Sequence, residues 1–153
     1  MRAIPRGKVL FDTSAYIRFI REGSYRWLEN DEKLFQRTIL TAVVAAELYA
    51  GSRSPEEKLR LDRLCLAHQA LGSLSSPQLR SWLQAGQMIG RYARLYGRVQ
   101  AADHFRDGLI ALEAARHQAT LATENVRDFL RWRKLLRSAG LKLEILDLRN
   151  KRR

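Results

Sequence analysis

Val9-Leu10-Phe11-Asp12-Thr13-Ser14 joins a short apolar run to three residues that begin helices. Lys8 to Phe11 has the length and apolar character of a buried strand, and Asp, Thr and Ser are favoured where a helix starts. Ala15 to Arg21 then sets Tyr16, Phe19 and Ile20 on one helical face. The chain therefore opens with a strand that turns at once into a helix, with an acidic residue at the joint.

The same alternation continues outward. Ser24 to Leu34 reads as a second helix with Trp27 and Leu28 inward, and Thr38-Ile39-Leu40-Thr41 as a second strand. A helix from about Ala42 to Tyr49 stops at Gly51. Pro55 opens a long amphipathic helix with Leu59, Leu66 and Leu71 among its apolar positions. Gly72-Ser73-Leu74-Ser75-Ser76-Pro77 breaks the pattern, and Pro77 starts a helix to about Tyr96. Ala102 to Gln118 is predicted helical, Ala119 to Thr123 a third strand, Val126 to Ser138 a helix, and Leu141 to Leu148 the last strand. Strands separated by helices imply a parallel sheet covered on both faces. Without an internal repeat, a low-complexity segment or an interdomain linker, residues 1–153 are expected to form a single α/β domain.

Composition narrows the function. Lys and Arg number 28 against 16 Asp and Glu, a formal net charge of +12. Arg131 to Arg153 holds nine basic residues and two acids, Glu144 and Asp147. That excess favours a polyanionic partner, nucleic acid before anionic membrane. No apolar run reaches the roughly 18 to 20 residues of a membrane span. A single Cys65 and the lack of a hydrophobic leader lead to the expectation of a cytoplasmic protein, with Cys65 a buried structural thiol.

Three acids interrupt apolar stretches: Asp12, Glu47 within Val43-Val44-Ala45-Ala46-Glu47-Leu48-Tyr49-Ala50-Gly51, and Asp107 within Phe105-Arg106-Asp107-Gly108-Leu109-Ile110-Ala111. A carboxylate among apolar neighbours is costly unless something pairs with it. Asp12 has a plain reading as a helix N-cap. Glu47 shares a stripe with Val43, Val44, Leu48 and Gly51, and either a structural salt bridge or a metal accounts for it. Asp103 is the better helix cap, which leaves Asp107 to be explained. Gathered by the fold, the three acids suit a hard divalent cation, which takes oxygen ligands and retains water. Such ions support phosphodiester cleavage. His68, His104 and His117 lack metal-ligand spacing and are expected at the surface or an interface, and one Cys makes no zinc cluster. Neither a Walker-type phosphate loop nor a nucleophilic-serine motif is present.

In this order and spacing the motifs resemble the PIN-domain family, in particular the VapC-type ribonuclease toxins of toxin–antitoxin pairs. The resemblance runs through Val9 to Ser14, Ala46 to Gly51, Asp107 to Ala111 and Ala122-Thr123-Glu124-Asn125-Val126-Arg127-Asp128-Phe129. It implies a PIN-like α/β/α domain with a central parallel sheet and acids at one end. It also implies Mg²⁺- or Mn²⁺-dependent cleavage of RNA and neutralisation by a small antitoxin.

Asp12, Glu47 and Asp107 match the first three family acids. At the fourth, Asn125 stands where many relatives carry Asp, with Asp128 one turn later and Glu124 adjacent; Asp128 is the preferred acid. Asn125 and Asp128 also fit a capping box.

The expected catalytic set is thus Asp12, Glu47, Asp107 and Asp128. Asp12 and Asp107 are the metal ligands, Glu47 orients or deprotonates water, and Thr13, Ser14, Thr123 and Asn125 support them. Arg106 serves either phosphate binding or a salt bridge. The competing readings are a non-catalytic RNA-binding module with a degenerate metal site and a DNA or flap nuclease; the short chain, with no large insertion, argues against the flap nuclease. A homodimer is expected from the leucine-rich helices between Pro55 and Tyr96.

Overall fold

The computed structural model describes residues 4–149. Among these, β1 (Val9–Phe11), β2 (Thr38–Thr41), β3 (Leu74–Ser75), β4 (Thr120–Thr123) and β5 (Glu144–Asp147) form one sheet in the order β3-β2-β1-β4-β5. Every neighbouring pair is parallel. The helices are α1 (Thr13–Glu22), α2 (Trp27–Asn30), α3 (Glu32–Gln36), α4 (Ala42–Ala50), α5 (Pro55–Ala70), α6 (Leu79–Tyr96), α7 (Ala101–Arg116) and α8 (Val126–Ser138). The expected α/β architecture with a central parallel sheet is what the chain adopts.

Several boundaries differ from the sequence expectation for identifiable reasons. The helix expected over Ser24–Leu34 is two, because Asp31 ends α2 in an extended conformation and caps α3 through its side chain. The polar break at 72–77 contains β3, whose Leu74 and Ser75 pair with Leu40 and Thr41. On α5 the buried residues are Leu61 and His68, whereas Leu59, Leu66 and Leu71 are exposed. A histidine in the seam there misleads a count of leucines. Cys65 is only partly buried.

β1 is the pivot. It pairs with β2 on one side and β4 on the other, with Leu10 beside both Ile39 and Leu121. The chain thus runs first to one edge of the sheet and later returns to the other. The carboxyl ends of β1 and β4 flank the crevice where the strand order reverses, the usual ligand position in open parallel sheets. Val9, Leu10, Phe11, Leu121 and Ala122 are buried, so strand direction and register are held by the core itself.

α7 lies deep against this sheet, buried continuously from Gly108 to Ala115. Its approach to α8 depends on Gly108, where an added Cβ would stand 2.9 Å from Cη2 of Trp132. Trp132 is almost wholly buried. A methyl group at 108 must push the indole or separate the helices, and overpacking of this kind costs typically about 1–3 kcal/mol. Gly108→Ala is therefore expected to lower the unfolding free energy by that amount, read as a lower urea midpoint at unchanged m-value, with partial recovery in combination with Trp132→Phe. An unchanged midpoint would show that this helix contact is not close-packed.

Candidate active site

Asp12 leaves the end of β1 only 5% exposed. Its N–H donates to the Ala122 carbonyl at 3.2 Å, which carries the sheet one residue further and sets Asp12 beside Thr123. Thr123 Oγ1 donates to Asp12 Oδ2 and Ser14 Oγ to Oδ1, each at 2.6 Å. Asp12 occupies the N-cap position of α1 without a side-chain cap bond of full geometry. Burial raises its pKa above the ordinary carboxylate value. The hydroxyls of Ser14 and Thr123, and the N–H groups of Ala15 and Ser14 that face it, oppose that rise.

Glu47, on α4, is tied to the same turn, because Thr13 Oγ1 donates to its Oε2 in a short bond. Its other oxygen lies 3.1 Å from Nη1 of Arg106. Arg106 also reaches Asp103 at 3.3 Å and Asp107 at 3.8 Å. One guanidinium thus bridges three acids and ties α4 to α7. The salt-bridge reading of Glu47 is realised, and its partner is the residue next to Asp107. Asp103 is not a cap, since Gln100 holds that position and Asp103 pairs with Arg106 instead.

Asp107 is the strained member. Burial pushes its pKa up to about 7, helped by the charges of Asp128, Asp12 and Glu47 and opposed by Arg106. Asp12, Glu47 and Asp128 thus lie within electrostatic reach of Asp107. Asp128 Oδ2 accepts from Nδ2 of Asn125 at 2.9 Å. Asn125 is the N-cap of α8 but makes no side-chain cap bond, so the pair is a side-chain contact rather than a capping box. Glu124 is engaged elsewhere, by Arg18 at 2.8 Å and by the Tyr25 hydroxyl. The backbone N–H groups of Glu124 and Asn125 donate to Ser14 and Thr123, which pins this loop to α1.

The donors are oxygens alone, mutually repulsive and only partly neutralised, which suits a hard divalent cation. Among the described residues no three His, Cys, Asp or Glu side chains stand close enough, as placed, to enclose a metal ion. Mg²⁺ is commonly held by one or two carboxylates and its own waters, so it requires no closed protein cage.

The histidine expectation needs correction. His68 is fully buried, lies 4.5 Å from the Phe35 ring, and has its pKa pushed down to about 4 by burial. Sequence reasoning also passed over Glu113, a buried acid that accepts from Ser75 Oγ, which in turn lies 2.8 Å from Nε2 of His117. It sits within the otherwise apolar run Leu109-Ile110-Ala111-Leu112-Glu113-Ala114, the signal that singled out the other acids. The pairing of Arg106 with Asp103 was likewise foreshadowed by their spacing of three residues on one helix.

An open parallel sheet of this order, with acids at the carboxyl ends of its middle strands, is a PIN-like α/β fold. Solved structures agree. A chain of VapBC2 from Rickettsia felis, determined bound to a DNA fragment from its promoter, superposes with a TM-score of 0.58 at 22% identity, covering 91% of this chain and 98% of that one. A chain of DNA-bound VapBC from Salmonella typhimurium gives 0.61 at 19% identity, with coverages of 91% and 98%. FitAcB from Neisseria gonorrhoeae gives 0.59 at 24%, with 89% and 96%. At these identities the likeness is one of fold, over nearly the whole chain. No family model and no curated protein sequence matches it.

The raised value of Asp107 has a thermodynamic signature. A carboxyl that binds its proton more tightly in the folded than in the unfolded state destabilises the fold as pH rises from about 4 to about 7, with no further loss above. At about 1.4 kcal/mol per unit, the penalty at pH 8 is at most on the order of 4 kcal/mol. In metal-free protein, Asp107→Asn is expected to flatten stability against pH across that window and to raise Tm at pH 8. Parallel curves for the variant and the wild type would remove Asp107 as the strained acid.

Proposed function

We propose that the chain is a Mg²⁺- or Mn²⁺-dependent endoribonuclease of the VapC type, the toxin of a toxin–antitoxin pair. One observation carries this reading: the turn that holds Asp12 is tied through Thr13 to Glu47, and Glu47 through Arg106 to Asp107, with Asp128 within electrostatic reach, on a chain of net charge +12. A protein gains nothing in stability from such crowding of like charge.

Asp12 and Asp107 are the residues that would hold the cation, which when bound activates water and stabilises the leaving oxygen. Ser14 and Thr123 fix the orientation of the Asp12 carboxylate, and Thr13 that of Glu47. Glu47 would take the proton from the attacking water once Arg106 releases its carboxylate. Asp128 extends the negative field, with Asn125 holding its side chain. Arg106 supplies a guanidinium for the substrate phosphate once the acids are otherwise neutralised. The surrounding positive charge offsets repulsion between RNA and the acidic centre.

The rival reading, an RNA binder without catalysis, draws on Arg106, which already neutralises part of the cluster, and on Asn125 at the fourth position. A cleavage assay on single-stranded RNA separates the two. Wild type with Mg²⁺ should cut, EDTA should stop it, and Asp12→Asn should reduce the rate by at least about 100-fold, as loss of a charge-stabilising group does. Binding without cutting would establish the rival, and EDTA-insensitive cutting equal in Asp12→Asn would sink both metal and site.

An antitoxin would find a seat in a groove of about 710 Å³ lined by α1, α2, α3 and α5 residues, with Phe19, Phe35 and Leu64 on its walls and Arg60 and Arg63 among its polar residues. Tyr16 Oη and His68 Nε2, both buried, contribute to it and lack hydrogen-bond partners among the described residues. Such a groove suits a segment with apolar anchors flanked by acids. The solved relatives are VapBC and FitAcB structures, which is why an antitoxin segment is the proposed occupant. A second copy of the chain is the proposed cover for Leu79, Trp82 and Leu83, exposed together on α6. Co-expression with the product of the neighbouring gene should yield a stable complex with suppressed cleavage. Combined Arg60→Glu and Arg63→Glu should weaken that complex by at least about tenfold, as loss of complementary charge does. A complex indifferent to both reversals would place the partner elsewhere.

A further inference from the structure

We infer that Tyr96 and Arg131 form a stacking platform for an unpaired nucleobase of the RNA, next to the phosphate addressed by the acidic centre; the inference rests on the ribonuclease reading above. Arg131 stands on α8 with its guanidinium over the Tyr96 ring, 4.9 Å from the centroid, and 5.9 Å from that of Tyr92. Its Nη1 donates to the Tyr92 hydroxyl at 3.1 Å. Tyr92 is buried and gripped by Trp132 at 5.4 Å, His104 at 4.6 Å and Tyr96 at 4.9 Å. The platform is therefore rigid from below, while Tyr96 and Arg131 keep part of their surface in solvent. Among the described residues Arg131 makes no ion pair with a carboxylate.

Its position gives the platform a role. Arg131 follows Asp128 by three residues on α8, and His104 precedes Asp107 by three on α7. Residues three apart are neighbours on a helix face, so the platform adjoins the acids along two helices at once. About one helical turn along α8 separates Arg131 from Asp128, so a strand whose phosphate lies at the acids can present its adjacent nucleotide to the platform. An anionic centre cannot hold RNA by charge alone. A π-face and a planar cation next to it hold the base without adding carboxylate–phosphate repulsion. Stacking of this kind tolerates any base but requires that the base be unpaired, which selects single-stranded segments or loops.

The test uses the full chain in EDTA, so that binding is read without cleavage, with a short single-stranded oligoribonucleotide followed by fluorescence anisotropy. Tyr96→Ala and Arg131→Gln should each raise Kd by about 5- to 100-fold, the effect expected of one lost stack. Tyr96→Phe and Tyr96→Trp should bind within about twofold of wild type because an aromatic face remains. Oligomers with one abasic position should show a site at which wild type loses the same factor and Tyr96→Ala loses nothing further. With Mg²⁺, KM should rise in Tyr96→Ala while kcat is kept. Tyr96→Leu replaces Tyr96→Ala if the latter is misfolded by thermal melt. Wild-type affinity in both Tyr96→Ala and Arg131→Gln, or an equal loss in Tyr96→Phe and Tyr96→Ala, would overturn the platform. Metal-dependent cleavage with affinity unmoved by these variants removes the platform and leaves the ribonuclease. Base-dependent binding without cleavage removes the ribonuclease and leaves the platform.

Discussion

Like-charge repulsion among Asp12, Glu47, Asp107 and Asp128 is the constraint to which this end of the molecule answers. Four carboxylates crowded in a partly dry crevice destabilise one another unless protons, cations or donors intervene. Each acid meets a different remedy. Asp12 is solvated internally by the hydroxyls of Ser14 and Thr123, and Glu47 by Thr13 and Arg106. Asp128 leans on the amide of Asn125. Asp107 receives the least help, with only a long contact to Arg106, and its pKa is pushed up to about 7.

The sheet makes this crowding possible. A parallel sheet ends all its strands at one edge, and the order β3-β2-β1-β4-β5 puts the exits of β1 and β4 side by side. Asp12 and Thr123 follow directly from that. Glu47 and Asp107 arrive from helices instead, so their positions depend on packing, and α7 is held by its long buried face. The same α1 that presents Thr13 and Ser14 to the acids lends Tyr16 and Phe19 to the groove on its flank. The proposed site and the proposed partner groove thus share one helix without sharing a surface.

The parts legible in the sequence were those set by local rules. Val9 to Ser14 reads as strand, turn and helix because burial and capping preferences act over a few residues. Asp12, Glu47 and Asp107 stood out because acids are rare in apolar runs. Contacts between distant segments were beyond such rules. The ion pair of Arg106 with Glu47 needs α4 beside α7, and the engagement of Glu124 by Arg18 and Tyr25, which leaves the sequence-preferred Asp128 facing Asn125, is equally invisible to local rules. The phase of α5 was misjudged because a neutral, ring-stacked His68 takes a place that hydrophobicity would assign to leucine.

The close approach of Gly108 to Trp132 has an evolutionary consequence. With a tryptophan ring 2.9 Å from where a Cβ would sit, neither position can drift alone, since a larger residue at 108 demands a smaller one at 132. The two are a covarying pair in waiting, and because Gly108 follows Asp107 directly, their joint drift would tilt the turn of α7 that carries the acid. Lineages that keep the acid in place are thereby confined to a narrow corridor of paired substitutions, an imprint that a collection of close homologues would carry in its sequences alone.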